Sequence, residues 1–359
     1  MLINKYEKNP IVTAGGAPWR AAAVFNPAVI FDNGKFYMLE RAAGGLRPFV
    51  CSFGLLESED GVHFSPTGDA PVLTAGELGY GQGTVEDPRL VKIDGKFYLT
   101  FAYRPYTYNC CPTGLGVPDY TPLKGELDKG INNTLSAIAV SDDLRSFRIR
   151  SLVNGDAVDE RDNVLFPETV NGKYFLLRRP KQFGDRPSIY YSTSADCERW
   201  SEPKLLAAPM YEWEGGKIGA GAPPVKTDKG WLLLYHGVDE KDVYRVGAML
   251  LDLEDPSRVI ARTPRYIMEP TEYYEKFGLV IPNVIRSETT ITYLGIVDLS
   301  SFAGTTIGTL LSQGNAAVTT APHTLLWPSL FLSLLMISFN LFGNGLRDAF
   351  NPTTRGEDD

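Results

Sequence analysis

The chain has 359 residues, a formal net charge of −8 and no cluster of Lys and Arg residues, which argues against nucleic-acid binding. Its length is enough for one large domain or two smaller ones with a buried core. The 35 Gly and 25 Pro residues favour a fold with many short turns. Aromatic residues make up 11% of the chain, which suits β-strands and sugar-binding surfaces.

The N-terminal residues contain no apolar core of the length that a signal peptide needs. The four cysteines, two of them adjacent at Cys110 and Cys111, do not have the spacing of metal ligands. We therefore expect reduced thiols, a cytoplasmic location and no bound metal.

Four stretches of the sequence repeat one pattern: a strand, a Gly-containing turn and a second strand. The first strands begin at residues 26, 86, 165 and 221, and the second strands follow the turns near residues 34, 95, 172 and 230. Matching prolines at positions 27, 88, 167 and 223 are separated by 61, 79 and 56 residues. A repeat of this length in an all-β pattern predicts a β-propeller with one small sheet per repeat.

Three further strands end in Ser-x-Asp and are followed by an aromatic residue, at 54–61, 137–144 and 189–196. They complete the pattern of four-stranded blades. A fifth unit is due at Ile281-Pro282-Asn283-Val284, but the composition changes from residue 285. The sequence therefore predicts a five-bladed β-propeller whose fifth blade is truncated or replaced.

Two segments lie outside this pattern. An insertion at 106–131, rich in Pro, Gly and Tyr, is expected to cover one mouth of the propeller. The domain boundary is predicted between 1–284 and a mostly helical apolar tail at 285–359. Within the tail, Leu325 to Phe342 form a stretch without charge that is just long enough for a transmembrane helix, with a buried helix as the alternative.

Asp87 is the candidate for acid catalysis. It precedes Pro88 at the start of a strand that should be the innermost of its blade, where the strands converge on a central channel. Turn formation explains an Asp before a Pro equally well.

Several cations lie at equivalent ends of different blades. His236 ends a strand of the fourth unit, and Lys217 lies within a Gly-rich loop that would expose backbone N–H groups to an anion. Arg161 and Arg179 flank the third unit. A packed core histidine and solvated blade edges would explain these residues one by one. Their convergence favours a phosphate site, because Arg matches phosphate oxygens in a bidentate fork.

Taken together, these motifs resemble glycoside hydrolase family 130, the mannoside phosphorylases and related mannosidases. The resemblance covers about residues 9–284. It lies in Phe25-Asn26-Pro27, Glu86-Asp87-Pro88-Arg89, Arg161 with Leu165-Phe166-Pro167, Arg179-Pro180, Lys217 to Gly221, Tyr235-His236-Gly237 and the segment 247–263.

The resemblance implies a five-bladed propeller that cleaves β-mannosides with inorganic phosphate and inverts the product to α-mannose 1-phosphate. Phosphate is then a co-substrate, and no cofactor is expected. Implied roles are general acid for Asp87, phosphate binding for Arg161, Arg179, Lys217 and His236, and substrate binding for Asn26, Arg41 and Arg89. A phosphorylase needs only one carboxylic acid because phosphate is itself the nucleophile, whereas a hydrolase needs a second carboxylate to activate water.

The tail resembles the end of a dipeptide or oligopeptide ABC transporter permease, at 288–295 and 340–348. Three alternatives to the phosphorylase stay open: a β-mannosidase of the same fold, an inactive mannose-binding propeller and a protein anchored in the membrane through 325–342. The sequence leaves the mannosidic linkage and homo-oligomer formation open.

Overall fold

The computed structural model describes residues 5–45, 48–81, 83–106, 133–153, 159–241 and 243–271, together with residues 326, 329 and 330. The chain divides into two compact units, Met1–Val280 and Ile281–Asp359. All of the β-structure described below belongs to the first unit. The three described residues of the second unit are helical.

The described residues of the first unit form four antiparallel sheets, which are the blades of the fold. Blade 1 consists of β1 (Ala23–Asp32), β2 (Lys35–Ala43), β3 (Cys51–Ser58) and β4 (Ser65–Pro66). Blade 2 consists of β5 (Thr84–Ile93), β6 (Lys96–Arg104), β7 (Leu135–Ser141) and β8 (Arg148–Leu152). Blade 3 consists of β9 (Glu160–Leu165), β10 (Tyr174–Pro180), β11 (Ile189–Ser194) and β12 (Lys204–Ala207). Blade 4 consists of β13 (Lys217–Ala220), β14 (Val225–Thr227), β15 (Gly230–Val238), β16 (Tyr244–Leu251) and β17 (Val259–Arg262). Short 3₁₀-helices at Pro18–Arg20, Ala75–Leu78 and Glu212–Glu214 lie in the connections.

The first strand of each blade contacts the first strand of the next, β1 with β5, β5 with β9 and β9 with β13. This succession of contacts between first strands is the arrangement of propeller blades, so the predicted all-β propeller fold is confirmed. The predicted number of five blades is wrong for the described residues, which form four. Residues 281–284, where the fifth unit was expected, lie outside the described residues.

The hairpins between the first two strands of blades 1 to 3 turn on an Asn-Gly or Asp-Gly pair. Both residues of each pair have positive φ, at Asn33-Gly34, Asp94-Gly95 and Asn171-Gly172. A two-residue turn of this kind requires φ > 0 at both positions, which Gly and Asn adopt at low cost. The predicted Gly-containing turns are therefore confirmed, and their physical reason is local.

The Ser-x-Asp repeats are confirmed as one turn used three times. In the first, Ser58 accepts hydrogen bonds from the backbone N–H groups of Asp60 and Gly61, and Asp60 accepts from those of Val62 and His63. The same pattern recurs at 141–146 and 194–199. In these three blades the Ser and Asp side chains replace the hydrogen-bond partners that the backbone loses where the third strand ends.

The prolines that suggested the repeat are not all equivalent. Pro27 and Pro88 lie inside β1 and β5, at register irregularities between Phe25 and Ala28 and between Glu86 and Arg89. Pro167 instead lies beyond the end of β9. In blade 4 the innermost strand is split into β13 and β14 on either side of 221–224, because two consecutive prolines remove two ladder donors.

The core is built between neighbouring blades. Blades 1 and 2 share one cluster, in which the rings of Phe53 and Phe101 meet edge to face with centroids 5.7 Å apart. Blades 3 and 4 share a second, in which the ring of Phe166 contacts Trp231 with centroids 5.0 Å apart. The sheets are thus held face to face by apolar burial, which leaves the ends of the innermost strands available for polar groups.

Several predictions fall on residues that the structure does not describe. The insertion at 106–131 is described only at residue 106, and the domain boundary and mostly helical tail fall almost wholly outside the described ranges. In the described part of the chain, no helix is both long and apolar enough to cross a bilayer.

Candidate active site

The innermost strands of the first three blades carry a polar residue in the left-handed region at matching positions. These residues are Asn26, Asp87 and Asp162, with φ of 43°, 53° and 55°. Each lies where the register of its strand pair is irregular, as a β-bulge requires. Asn and Asp tolerate this conformation better than other residues with a Cβ. The three bulges turn these side chains out of the regular alternation of the strand.

Asp87 is the centre of a first group of side chains. Its Oδ1 accepts hydrogen bonds from Nδ2 of Asn26 at 2.8 Å and from Nη1 of Arg41 at 2.7 Å. Burial would raise the pKa of Asp87, but Arg41, Arg89 and the Asn26 hydrogen bond outweigh it, and the pKa lies below its usual value. In the unliganded protein this carboxyl is therefore ionised at neutral pH.

Glu86, next to Asp87, is 2% exposed and lies between two arginines. Its Oε1 is 3.4 Å from Nη2 of Arg41, and its Oε2 is 3.8 Å from Nη1 of Arg161. Arg161 also donates to the hydroxyl of Thr134 at 2.8 Å. The predicted phosphate ligand Arg161 and the predicted substrate ligand Arg41 are therefore joined by one buried carboxylate, which the sequence did not single out.

Asp162 is the centre of a second group. Its Oδ2 accepts a hydrogen bond from Nε of Arg179 and lies 3.4 Å from Nε2 of His236. Burial would raise the pKa of Asp162, but Arg179, His236 and Arg89 hold it well below the usual range. Burial lowers the pKa of His236 to about 4, and Arg179, Arg89 and Lys217 add to the effect while Asp162 opposes it. The imidazole is therefore neutral at pH 7.

Lys217 lies beside this second group. Its Nζ is 5.0 Å from the centroid of the Tyr244 ring, and that ring is also 5.5 Å from the ring of His236. Among the described residues the ammonium has no hydrogen-bond or ion-pair partner in the protein. A cation over an aromatic face without a carboxylate partner is suited to receive an anion.

Arg89 connects the two groups. Its guanidinium donates to the backbone carbonyls of Asp87, Pro88 and Gly221, the last in blade 4. The same charge lowers the pKa values of Asp87, Asp162 and His236. The predicted site residues on the first and second strands of the four blades therefore come together in these two groups, with Arg89 between the groups.

The site holds more carboxylates than the single acid that phosphorolysis needs. Asp162 and Glu86 also lie in the site, and both are buried. One sequence signal could have identified Asp162, because it follows Arg161 directly. In the structure it occupies the bulge position that Asp87 occupies in blade 2. Within the described ranges, no three His, Cys, Asp or Glu side chains gather as metal ligands would.

The fold and this ionic centre define a β-propeller with carboxylates and cations gathered at one end of its innermost strands. The sequence profile of glycoside hydrolase family 130, described as β-1,4-mannooligosaccharide phosphorylase, matches residues 3–297. The chain belongs to this family.

Individual relatives agree with the family. The chain is 37% identical over 277 residues to a 1,2-β-oligomannan phosphorylase of Thermoanaerobacter sp. strain X514, with 75% of this chain and 82% of that protein covered. The solved structure of the β-1,2-mannobiose phosphorylase from Listeria innocua is similar in fold, with a TM-score of 0.59 and 24% identity over 76% of this chain and 86% of that one.

The permease resemblance of the tail is also found. The chain is 36% identical over 78 residues to the oligopeptide transport system permease protein OppC of Haemophilus influenzae. That match covers 22% of this chain and 24% of the permease.

Proposed function

We propose that this chain cleaves β-mannosides by phosphorolysis and releases α-mannose 1-phosphate with inversion at the anomeric carbon. The observation that carries the proposal is the second group of side chains, in which Arg179, Lys217 and His236 gather at adjoining blades within reach of the Asp87 group. Family membership and the mannoside phosphorylases among the relatives support the same reaction.

The Asp87 group and the second group of side chains would have different roles in the reaction. Phosphate held by Arg161, Arg179, Lys217 and His236 would attack the anomeric carbon, and positioning it there can supply much of the rate enhancement. The leaving oxygen must receive a proton, and we assign that transfer to Asp87 through a sugar hydroxyl. Because Asp87 is ionised in the free protein, it must first take up a proton from solvent. Loss of its contacts with Asn26 and Arg41 to the bound sugar would raise its pKa and permit that uptake.

One observation favours a second candidate, a β-mannosidase. An inverting hydrolase uses two carboxylates, and the site holds Asp162 as well as Asp87. Asp162, however, is engaged by Arg179 and His236, which leaves it poorly placed to activate water.

The experiment that separates the two uses β-1,2- and β-1,4-mannobiose with and without inorganic phosphate. We expect α-mannose 1-phosphate, detected by phosphorus NMR, only when phosphate is present. His236→Ala should lower turnover by about 10²-fold, as loss of one site donor does. His63→Ala is the matched control, because His63 is 84% exposed and its ion-pair partner is the surface residue Asp60.

Cleavage at the same rate without phosphate would favour the mannosidase. Binding of mannobiose without either product would favour the inactive mannose-binding propeller. Equal activity on the two disaccharides would leave the linkage undecided and the reaction class intact.

The proposal includes a five-bladed parent fold whose fifth blade is replaced in this chain. Along β1, Ala28 and Ile30 pack into the cluster shared with blade 2, while Val29 and Phe31 alternate to the other face and are 48% and 60% exposed. The other face of β15 in blade 4 likewise carries Leu232, which is 37% exposed. Apolar residues on both outer faces are what loss of an intervening sheet would leave.

The cytoplasmic location, the homo-oligomer and membrane contact through 325–342 stay predictions. A cell fractionation of the expressed full chain would decide between soluble and membrane-bound protein.

A further inference from the structure

Two of the four side chains assigned to phosphate already hold a carboxylate oxygen of the protein itself. Oδ2 of Asp162 accepts from Nε of Arg179 and lies 3.4 Å from Nε2 of His236. Asp162 is 7% exposed, so water does not replace these contacts. Among the described residues Arg179 makes no other side-chain hydrogen bond, which leaves its terminal nitrogens for an incoming anion.

The backbone of β13, which faces Asp162 and His236, leaves room for their side chains to meet. A Cβ at Gly219 would lie 2.1 Å from Oδ2 of Asp162 and 2.6 Å from Cε1 of His236. No side chain fits at these distances, so only glycine allows the carboxylate and the imidazole to meet. The contact is therefore specified by three blade positions: the bulge of β9, the end of β15 and a glycine in β13.

An anion that engages Arg179 and His236 must come next to Oδ2 of Asp162, because both groups contact that oxygen. An ionised carboxylate can only accept hydrogen bonds. It repels an anion that has no proton and binds one that can donate an O–H group, in a short charge-assisted hydrogen bond. At neutral pH phosphate and arsenate keep at least one hydroxyl group, whereas sulfate keeps none.

We propose that Asp162 is the specificity-determining residue of the anion site, accepting a hydrogen bond from a phosphate hydroxyl group and excluding sulfate. This inference rests on the proposed function, since it concerns the same phosphate. It gives a role to the buried carboxylate of Asp162, which has no part in the phosphorolysis as proposed above. The neighbouring charges are Arg89 and Asp87 from blade 2, Arg161 and Arg179 from blade 3 and Lys217 from blade 4.

The test measures binding of phosphate, arsenate and sulfate to the full chain by calorimetry at pH 7 and constant ionic strength. We expect phosphate and arsenate to bind and sulfate to bind at least about tenfold more weakly. Asp162→Asn offers an N–H donor in place of the carboxylate. It should reduce the preference for phosphate over sulfate by about tenfold to a hundredfold, which is the usual effect of one hydrogen bond to a charged group.

Glu160→Gln is the matched control. Glu160 lies on the same strand as Asp162 and is 0% exposed. It accepts two hydrogen bonds from Arg178, whereas Asp162 pairs with Arg179. Its removal should lower stability and leave the phosphate-to-sulfate ratio unchanged. A control variant that changed the ratio as much as Asp162→Asn would overturn the assignment and indicate a general packing effect.

The unmodified chain decides the question even where Asp162→Asn fails to fold. Sulfate binding as tight as phosphate would refute the role of Asp162 while leaving phosphorolysis intact. A chain that bound neither phosphate nor arsenate would instead refute the proposed function, and the inference with it.

Discussion

His236 carries an imidazole whose pKa is set by its surroundings. Burial lowers the pKa from 6.5 to about 4, and three nearby cations act in the same direction against Asp162. A neutral imidazole can donate a hydrogen bond to an anion from one ring nitrogen without bringing a positive charge into a site already rich in arginine. Asp87 is the converse case, because cations keep it charged despite burial.

The pKa of His236 predicts how stability depends on pH. The unfolded chain protonates this side chain near pH 6.5, whereas the folded protein does so only near pH 4. Falling pH therefore favours unfolding across this window, by up to about 3 kcal/mol at its lower end. In urea denaturation between pH 7 and pH 5, we expect the unfolding free energy of the unmodified chain to fall more steeply than that of His236→Gln.

His63→Gln is the comparison variant, because it removes a histidine that is exposed at the surface instead of buried in the site. Glu160, which has a pKa raised by burial, is present in all three proteins and cancels in the comparison. Parallel pH curves for His236→Gln and the unmodified chain would show that the imidazole titrates normally.

The element that positions the site is the bulged innermost strand. Asn26, Asp87 and Asp162 share a left-handed conformation. The same backbone bulge therefore orients a polar side chain in each of three blades. This conformation costs most residues with a Cβ about 1–2 kcal/mol, and Asn and Asp less than the others. The strain persists because neighbouring strands hold the bulge, a pattern that recurs at functional sites.

Asn26 allows a test of the bulge that separates backbone from side chain. Asn26→Gly and Asn26→Ala both remove the hydrogen bond to Asp87, but only alanine is strained at a φ of 43°. Glycine also gains freedom in the unfolded chain, which offsets part of the difference. We expect Asn26→Gly to be more stable than Asn26→Ala by about 1 kcal/mol in urea denaturation.

Ile30 provides the matched position, since it lies in the same strand without a positive φ. There the order should reverse, with glycine less stable than alanine. An alanine at position 26 as stable as glycine would mean that the bulge relaxes.

On the scale of the whole molecule, Arg89 connects two blades that are not neighbours in the chain. Its hydrogen bond to the carbonyl of Gly221 spans 132 residues and joins blade 2 to blade 4. The second and fourth sheets have no shared apolar cluster among the described residues, so this polar contact is a main connection between them. It also fixes the distance between the Asp87 group and the second group.

Arg89→Ala should therefore destabilise the propeller by about 1–3 kcal/mol, because buried carbonyl groups lose their donor. Arg150→Ala is the control, as Arg150 joins blade 2 to blade 3 through Glu198 but is 42% exposed. A surface pair of this kind contributes about 0–1 kcal/mol. Hydrogen exchange should show blade 4 less protected in Arg89→Ala, and equal losses in both variants would argue against a central role for Arg89.

The local features of this protein were determined by the sequence alone. Asn-Gly and Asp-Gly turns, Ser-x-Asp turns and alternating strands depend on neighbours within a few residues, so their pattern predicted the blades and the family. Arg179, Lys217 and His236 could be found because each lies close to the end of its strand, and Asp87 because it precedes a proline.

Contacts between distant residues were decided only by the tertiary structure. Glu86 gains Arg161 as a partner and Asp162 gains His236, because neighbouring blades meet there. Asp162 gains Arg179 across the pairing of β9 with β10. No local pattern encodes these distances. The prolines misled for the same reason, since a proline in a bulge and one beyond a strand read alike in sequence but occupy different places in a sheet.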